Sequence, residues 1–303
     1  MKLLRSVRRW LTGLCPFGMS EAANAGTPMR FASTPFGDVA LDTVWNALNR
    51  SSDTQSLEEL HRGLSEKDRR SPLAANAKIA FGFDTNAIFR LGLGTQGANA
   101  LDYLTERHVG PVIIPGQAVQ EIWNNFLAGV EPNAKIVSKK LTDLEVALGI
   151  IGQELGPQGA AAKTAIQALI DSHGDWTDAQ ALSEFDGTVA ALLSVSKVSY
   201  VPRDEFYRLG QIRKETKTPP GFRDEAKNFG DYFIWADFLY GVAQADLSAI
   251  DAVVLVTNDQ KTDWSRNKVP HPVLVSEARA VGGKDFRLWT LDMFHAFVKS
   301  IAS

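Results

Sequence analysis

Four acidic residues of this 303-residue chain stand where they could gather around a divalent cation. Asp84 and Asp259 each follow a short apolar run that is typical of a buried strand. Glu121 lies in the helix predicted after another such run, and Asp231 lies at the start of a further helix. Ligands bind outside the carboxyl ends of parallel strands, so we expect these carboxylates to converge at one edge of a sheet.

The chemistry of such a cluster follows from its charge. Carboxylates that lie within a few ångströms of one another repel, and their pKa values rise, unless a cation neutralises them. Mg²⁺ or Mn²⁺ is the expected cofactor, because hard cations take oxygen ligands and keep several waters. Such ions activate a water toward phosphorus and stabilise the charge that develops on a phosphate. Hydrolysis of a phosphodiester without a protein nucleophile is therefore the predicted chemistry.

Each acid also has a simpler explanation when it is taken alone. An aspartate after a strand is often the N-cap of the next helix, and this explains Asp84 and Asp259 as well as catalysis does. Glu121 alone is more simply a solvated helix residue, and Asp231 alone is a cap behind Gly230. The hypothesis of a joint site depends on the order of the four acids along the chain.

Alternating strands and helices are expected to place these acids. Short apolar runs predict strands at residues 79–83, 112–114, 252–256, 272–275 and 286–289. Helical spacing of apolar residues follows most of them, including the stretches 118–127, 232–243 and 292–301. This alternation predicts an α/β fold with a central, mostly parallel sheet that is covered on both faces.

Three further regions complete the predicted organisation. Residues 1–75 form an N-terminal extension, partly helical or flexible, with helical patterns at 41–48 and 57–64. Residues from about 130 to 200 form a helical insertion, with helices predicted at 136–155, 160–170 and 179–193. The polar stretch 199–230 is predicted to be a mobile loop that faces a substrate.

Composition limits the function classes. The net charge of -3 and a pI near 6.0 argue against a protein that coats duplex DNA by bulk electrostatics. The single Cys15 excludes an internal disulfide and a cysteine-based zinc site, so a reducing compartment, the cytoplasm, is expected. No run of eighteen or more apolar residues predicts a membrane span.

The first residues leave an alternative for localisation. A basic start followed by residues 23–25, Ala-Asn-Ala, is compatible with a secretion signal. Gly13, Pro16 and Gly18 interrupt its apolar segment, so a short basic amphipathic tail explains it equally well.

Several short motifs resemble successive motifs of the PIN domain family. They are Phe83-Asp84-Thr85-Asn86, Ile114-Pro115 followed by Glu121, Gly230-Asp231 ahead of Ile234-Trp235, and Val256-Thr257-Asn258-Asp259. The sequences at 221–224 with Lys227, at 257–264 and at 276–279 resemble a bacterial PIN-like branch with a helical insertion. The resemblance covers residues from about 76 to 303 and implies a three-layer α/β/α nuclease domain.

The resemblance also implies roles for individual side chains. The four acids named first would hold one or two Mg²⁺ or Mn²⁺ ions, and Asp224 and Asp263 are additional candidate catalytic acids. Asn86, Thr257 and Asn258 would orient carboxylates or waters, although local capping explains these three equally well.

Basic and aromatic residues near these motifs have two explanations each. Arg223, Lys227 and Lys261 would contact phosphates, or they are solvated surface charges. Trp235 and Trp264 would stack on a base, although helical spacing beside apolar residues favours the core for Trp235.

An endonuclease that cuts RNA, or single-stranded DNA, is the function that the resemblance implies. By analogy with toxin-antitoxin and phage-defence systems, the helical insertion would dock a regulatory protein partner. The alternative is a catalytically inactive PIN-like module that binds RNA or protein and keeps its acids as caps.

Other hydrolase classes fit less well. A haloacid dehalogenase-type phosphatase needs a second aspartate two residues after its nucleophile, and Asn86 occupies that position. A glycosidase does not require four carboxylates at a parallel sheet. The five histidines lack zinc-hydrolase spacing.

Overall fold

A parallel sheet of five strands lies at the centre of the fold in the computed structural model. The structure describes residues 36–50, 55–65, 73–92, 94–125, 132–151, 154–171, 179–225, 228–259 and 261–302. The sheet has the order β3-β2-β1-β4-β7 and consists of β1 (Ile79–Phe83), β2 (Val112–Pro115), β3 (Ser196–Ser199), β4 (Ala252–Val256) and β7 (Asp285–Trp289). A short antiparallel hairpin is formed by β5 (Ser265–Arg266) and β6 (Val269–Pro270).

Helices occupy most of the remaining described chain. Before the insertion they are α1 (Val39–Leu48), α2 (Ser56–Ser65), α3 (Thr85–Leu91), α4 (Gly94–Asp102), a π-helical turn (Tyr103–Arg107) and α5 (Gly116–Asn124). The insertion contains α6 (Pro132–Ile151), α7 (Gly156–Asp171) and α8 (Ala179–Val195). They are followed by α9 (Arg203–Glu215), α10 (Gly230–Gln244), α11 (Pro272–Gly282) and α12 (Leu291–Ala302). Within the described ranges, no helix is long and apolar enough to cross a membrane.

The two central strands are apolar throughout because both of their faces are covered. All residues of β1 and β4 are buried, and the strands pair in parallel from Ile79 opposite Ala252 to Phe83 opposite Val256. Successive strand residues point to opposite faces. Ala80 packs in the cluster with α10 and α11, whereas Phe81 packs in the cluster with α3, α4 and α12. The result is the predicted three-layer α/β/α arrangement.

The order of the strands creates a natural ligand site. Chain connections run outward in opposite directions from β1 and β4, so the sequence order of the strands reverses between these two neighbours. A crevice forms at such a switch point, outside the carboxyl ends of the two strands. Asp84 and Thr257 directly follow these ends.

Two predicted elements are wrong. The stretch 272–275, predicted to be a strand, is the first turn of α11, where Pro272 occupies the first helical position and the His271 ring accepts from the Val273 N–H. The stretch 199–230, predicted to be a mobile loop, contains helix α9. Phe206, Leu209 and Arg213 form the buried face of that helix, at helical spacing.

Strand β3 was not predicted, because its sequence carries little apolar signal. Its residues are Ser-Lys-Val-Ser, and only Ser199 is buried. This pattern is typical of a strand at the edge of a sheet, which needs no apolar face toward solvent.

Helices from the segment assigned to the N-terminal extension pack on the sheet domain. Helix α1 contacts α10, and Val44 and Leu48 belong to the hydrophobic cluster on that face. Helix α2 contacts α11, where the buried Glu59 binds Arg279. In the insertion, α6 packs against α7, while α8 contacts α3, α4 and the π-helical turn.

A buried ion pair connects three of these elements. Arg213 on α9 and Glu277 on α11 are both 3% exposed, and their closest nitrogen and oxygen atoms are 2.7 Å apart. The guanidinium of Arg213 also donates to the carbonyl oxygens of Leu48 and Pro219. Glu277 accepts a further bond of 2.8 Å from the indole of Trp235. Burial raises the pKa of Glu277, and the charge and hydrogen bonds of Arg213 oppose this rise.

We predict that Arg213→Met lowers the free energy of unfolding by about 3–5 kcal/mol, because it leaves the Glu277 carboxylate buried without a counter-ion. Urea unfolding would measure the loss. Arg208→Met removes an exposed arginine from the same helix and should change stability by less than about 0.5 kcal/mol. Adding Glu277→Leu should restore part of the loss, and a double variant no more stable than Arg213→Met would refute this cause.

Candidate active site

Asp84 is fixed by two hydrogen bonds at the end of β1. One carboxylate oxygen accepts from the backbone N–H of Ala87 at 2.9 Å, which caps α3, and the other accepts from the hydroxyl of Thr257 at the end of β4. The side chain is therefore both a helix cap and part of the crevice. Burial raises the pKa of Asp84 to about 7, the bonds from Thr257 and Ala87 oppose the shift, and the nearby charges of Asp231 and Asp259 add to it.

Glu121 approaches the same edge from helix α5. Its carboxylate accepts a 2.8 Å bond from Thr85, the residue after Asp84, and a 3.1 Å bond from Gln117 one turn earlier in the helix. Gly230 lies beside it, since a Cβ atom built at that position would be 2.4 Å from Glu121 Oε1. The first residue of α10 must therefore be a glycine for Glu121 to come this close.

Three aspartates meet at one ammonium group. The Lys261 Nζ atom lies 2.7 Å from Asp224, 2.9 Å from Asp231 and 3.0 Å from Asp259. The three acids come from the loop before α10, the first turn of α10 and the end of β4. Residues that are distant in sequence thus share a single positive charge.

The charges of Lys261 and its three aspartates affect one another's pKa values. Burial lowers the pKa of an ammonium, but the hydrogen bonds and charges of Asp224, Asp231 and Asp259 outweigh it and hold the pKa of Lys261 above its usual value. Burial raises the pKa of Asp231 to about 6, against the bonds from Lys261 and from Trp264. Asp231 is no helix cap, because its carboxylate bonds these two side chains.

Two buried carboxylate oxygens here lack a hydrogen-bond partner in the described chain. Asp224 is 4% exposed at its side chain, and its Oδ2 atom has no partner. Asp263 is fully buried, and its Oδ2 atom accepts from the Gly221 N–H at 2.9 Å while Oδ1 has no partner. Asp263 therefore holds the loop that carries Asp224, and an unsatisfied oxygen on each acid remains available to a cation or a water.

The predicted orienting residues differ in their contacts. Thr257 donates to Asp84 and accepts from the N–H of Asp259 at 3.0 Å, so it links two candidate ligands. Asn258 accepts from the N–H of Leu291 and thereby ties β4 to the start of α12. Asn86 is exposed, and its side chain makes no hydrogen bond to any described residue.

The basic and aromatic candidate residues also differ in exposure and in contacts. Arg223 is exposed and forms no ion pair with the described residues, whereas Lys261 is bound to the three aspartates. Lys227 lies outside the described residues. Trp235 and Trp264 are both buried core residues, so neither presents a face for stacking on a base.

Asp237 is a positioning residue that the sequence reasoning missed. It is fully buried on α10, and its carboxylate accepts from the backbone N–H groups of Gln117 and Val201 at 2.8 Å and from the guanidinium of Arg203. This fixes the start of α5, the helix that carries Glu121. The available signal was a lone acid within the otherwise apolar run Tyr232–Leu239.

In their present positions, the described histidine, cysteine, aspartate and glutamate residues form no group of three that would hold a metal ion. Lys261 stands between three of the acids, while Asp84 and Glu121 bind hydroxyl and amide donors. The structure therefore shows an edge with five neighbouring carboxylates, three of which share one internal ammonium group.

Fold and site together define an α/β protein with an acidic crevice at the switch point of a parallel sheet. Residues 137–274 match the family model described as a PIN like domain, which supports a PIN-like domain family. The matched segment includes Asp224, Asp231, Asp259 and Lys261 and begins after Asp84 and Glu121. Comparisons with curated proteins and with solved structures gave no significant match. PIN-like domains are generally nucleases, so this is a nuclease-type fold.

We predict that, in EDTA, Asp84 contributes a fall in the free energy of unfolding as the pH rises from about 4 to about 7. Because the pKa of Asp84 is raised to about 7, the folded protein keeps a proton that the unfolded chain has lost, and stability must then decrease with pH. Asp84→Asn should flatten this dependence and should be more stable than the wild type at pH 7.5, by on the order of 2–4 kcal/mol.

Urea unfolding at several pH values would test this prediction. An asparagine side chain keeps one oxygen, which can accept from the Ala87 N–H, so the cap survives the change. Its amide nitrogen replaces the oxygen that accepts from Thr257 and can donate to the Thr257 hydroxyl oxygen instead. Asp204→Asn, at an exposed position on α9, is the matched control and should keep the wild-type slope. An Asp84→Asn variant with the full wild-type slope would contradict the assignment.

Proposed function

We propose that this protein is a metal-dependent nuclease that hydrolyses phosphodiester bonds in RNA as an endonuclease. One observation carries the proposal: Asp224, Asp231 and Asp259, from three separate elements, converge on one positive charge at the switch point of the sheet. Asp84 and Glu121 lie at the same edge, because Thr257 links Asp84 to Asp259 and Gly230 brings Glu121 next to Asp231.

The residues at this edge fit a hard divalent cation. All five are carboxylates, the ligand type that Mg²⁺ and Mn²⁺ prefer, and one buried oxygen of Asp224 has no partner among the described residues. The position of the Lys261 ammonium between three of them supports a cation site here. A divalent ion would replace the ammonium, with Asp84, Glu121, Asp231 and Asp259 as its proposed ligands and Asp224 and Asp263 as additional acids.

Bound Mg²⁺ or Mn²⁺ would supply an activated water and stabilise the charge that develops on the phosphate. The protein would supply orientation. Thr257 holds the Asp84 carboxylate, Thr85 and Gln117 hold Glu121, and Asn258 anchors the end of β4. Lys261, once released from its carboxylates, and the exposed Arg223 would bind phosphates close to the scissile bond.

The charge of the chain favours a flexible, single-stranded substrate. A net charge of -3 argues against binding of a duplex by bulk electrostatics, so phosphates would be held by a few local cations. RNA strands and loops can bend into a crevice of this kind, and their unpaired bases remain accessible.

A second candidate function is supported by Lys261 itself. An internal ammonium that bonds three carboxylates supplies positive charge without a metal, which suits a catalytically inactive module that binds RNA or protein. The two candidates differ in their response to divalent ions.

We predict metal-dependent cleavage of labelled single-stranded RNA by the wild type with Mn²⁺ or Mg²⁺ and none in EDTA. The double variant Asp84→Asn, Asp259→Asn should lose more than about 100-fold in rate, because two proposed ligands lose their charge. Asp204→Asn is the control for carboxylate loss elsewhere and should cut normally. Folded but inert wild type on RNA and on single-stranded DNA with either metal would favour the inactive module.

We predict that Lys261→Met lowers the thermal midpoint in EDTA, since Asp224, Asp231 and Asp259 then repel one another without a counter-ion. Mn²⁺ should raise the midpoint of this variant more than that of the wild type, with a Kd at least about tenfold lower, because the ion no longer competes with the ammonium. Titration calorimetry with Mn²⁺ would measure the Kd. Lys139→Met, at an exposed position in the insertion, should bind Mn²⁺ like the wild type.

A Lys261→Met variant with the wild-type affinity for Mn²⁺ would show that metal and ammonium do not share a site. This readout requires no cleavage, so it tests the metal site separately from the nuclease activity.

A further inference from the structure

A cavity of about 510 Å³ adjoins the acidic crevice and lies within the range of about 300–1,000 Å³ that is usual for ligand pockets. Thr257 and Asp259 form its boundary with the candidate active site. The β5–β6 hairpin contributes Arg266, Asn267 and Lys268 to the lining. A ligand in this cavity would therefore lie next to a phosphate at the acids.

The chemistry of the walls is that of a nucleotide site. Two of the lining residues, Arg266 and Lys268, are basic, and Asp259 is the acid at the boundary. Both cations are exposed, and neither forms an ion pair with a described residue. The apolar side chains of Leu288 and Met293 also line the cavity. Arg266 and Lys268 would attract the phosphates of a nucleotide. Leu288 and Met293 would suit its base or sugar.

The backbone of the hairpin turn provides an independent observation. Asn267 has φ 50° and Lys268 has φ 67°, so both central residues of the tight turn are left-handed. This turn type strongly prefers glycine in its second position, as in Asn-Gly. Lysine occupies that position at a conformational cost, and such costs are commonly retained where the side chain has a function. The turn holds the Lys268 side chain at the mouth of the cavity.

We propose that this cavity binds the nucleotide adjacent to the scissile phosphate of a single-stranded RNA, with Lys268 and Arg266 on the backbone phosphates. The inference rests on the proposed nuclease function and adds to it the path of the strand. The strand runs from the acids past Thr257 and Asp259 and along the hairpin. Lys268 contributes affinity, not chemistry, because it belongs to the hairpin and forms no ion pair with the described acids.

Lys268→Gly tests this proposal without the usual risk of unfolding. Glycine adopts the left-handed conformation freely, so the hairpin should be at least as stable as in the wild type while one charge is lost. Lys217→Gly is a closely matched control. Lys217 is also an exposed lysine with a left-handed backbone, at φ 54°, and it does not line this cavity.

Fluorescence anisotropy in EDTA would measure the affinity for a short, unstructured, labelled RNA at several salt concentrations. We expect Lys268→Gly to weaken binding about 3- to 10-fold and to reduce the salt slope by roughly 0.7, the value for one phosphate contact on a single strand. Arg266→Gln should act in the same direction. In cleavage assays with Mn²⁺, Lys268→Gly should raise KM and leave kcat within about twofold.

The outcomes separate this inference from the function on which it rests. If the wild type binds and cuts RNA and Lys268→Gly behaves like Lys217→Gly, the nuclease stands and the strand path is wrong. A fall in kcat with KM unchanged would also overturn the assignment of Lys268 to binding. If the wild type neither binds nor cuts RNA, the proposed function and the inference both fail.

Discussion

Repulsion among carboxylates at the carboxyl edge of the sheet is the constraint that organises the surrounding structure. Desolvation and like charges raise the pKa values of Asp84 and Asp231, so the edge must supply donors and positive charge to hold their ionised forms. Thr257 and the backbone N–H of Ala87 donate hydrogen bonds to Asp84. Trp264 and Lys261 donate hydrogen bonds to Asp231. One lysine therefore supplies the positive charge that Asp224, Asp231 and Asp259 share.

The part of the fold that sequence reasoning reached is the part whose residues are buried on two sides. Strands β1 and β4 appear as unbroken apolar runs, so Asp84 and Asp259 could be placed at the end of a strand. Edge strand β3 carries no such pattern, and the Pro-Val-Leu-Val start of α11 has the composition of a strand although its proline begins a helix. Segments that are buried on one face only have a weaker apolar pattern, and this explains the errors at β3 and at the start of α11.

The arrangement within the site was beyond the sequence for a different reason. Lys261 was assigned to a substrate phosphate or to solvent, whereas its three partners lie up to 37 residues away along the chain. The acids that Lys261 contacts depend on how α10 lies relative to the end of β4. The spacing of residues along the sequence does not predict that arrangement. Asp237 is similar, because its hydrogen-bond donors Gln117 and Val201 become neighbours only when α5 and the end of β3 pack against α10.

Arg213 carries a consequence beyond stability. One guanidinium binds the last carbonyl of α1 at Leu48, the carboxylate of Glu277 and the carbonyl of Pro219, and two residues after Pro219 the Gly221 N–H binds Asp263. The docking of α1 and the position of the loop that carries Asp224 thus depend on the same side chain. Removal of this side chain would therefore free both the end of α1 and the loop before α10 from one shared anchor.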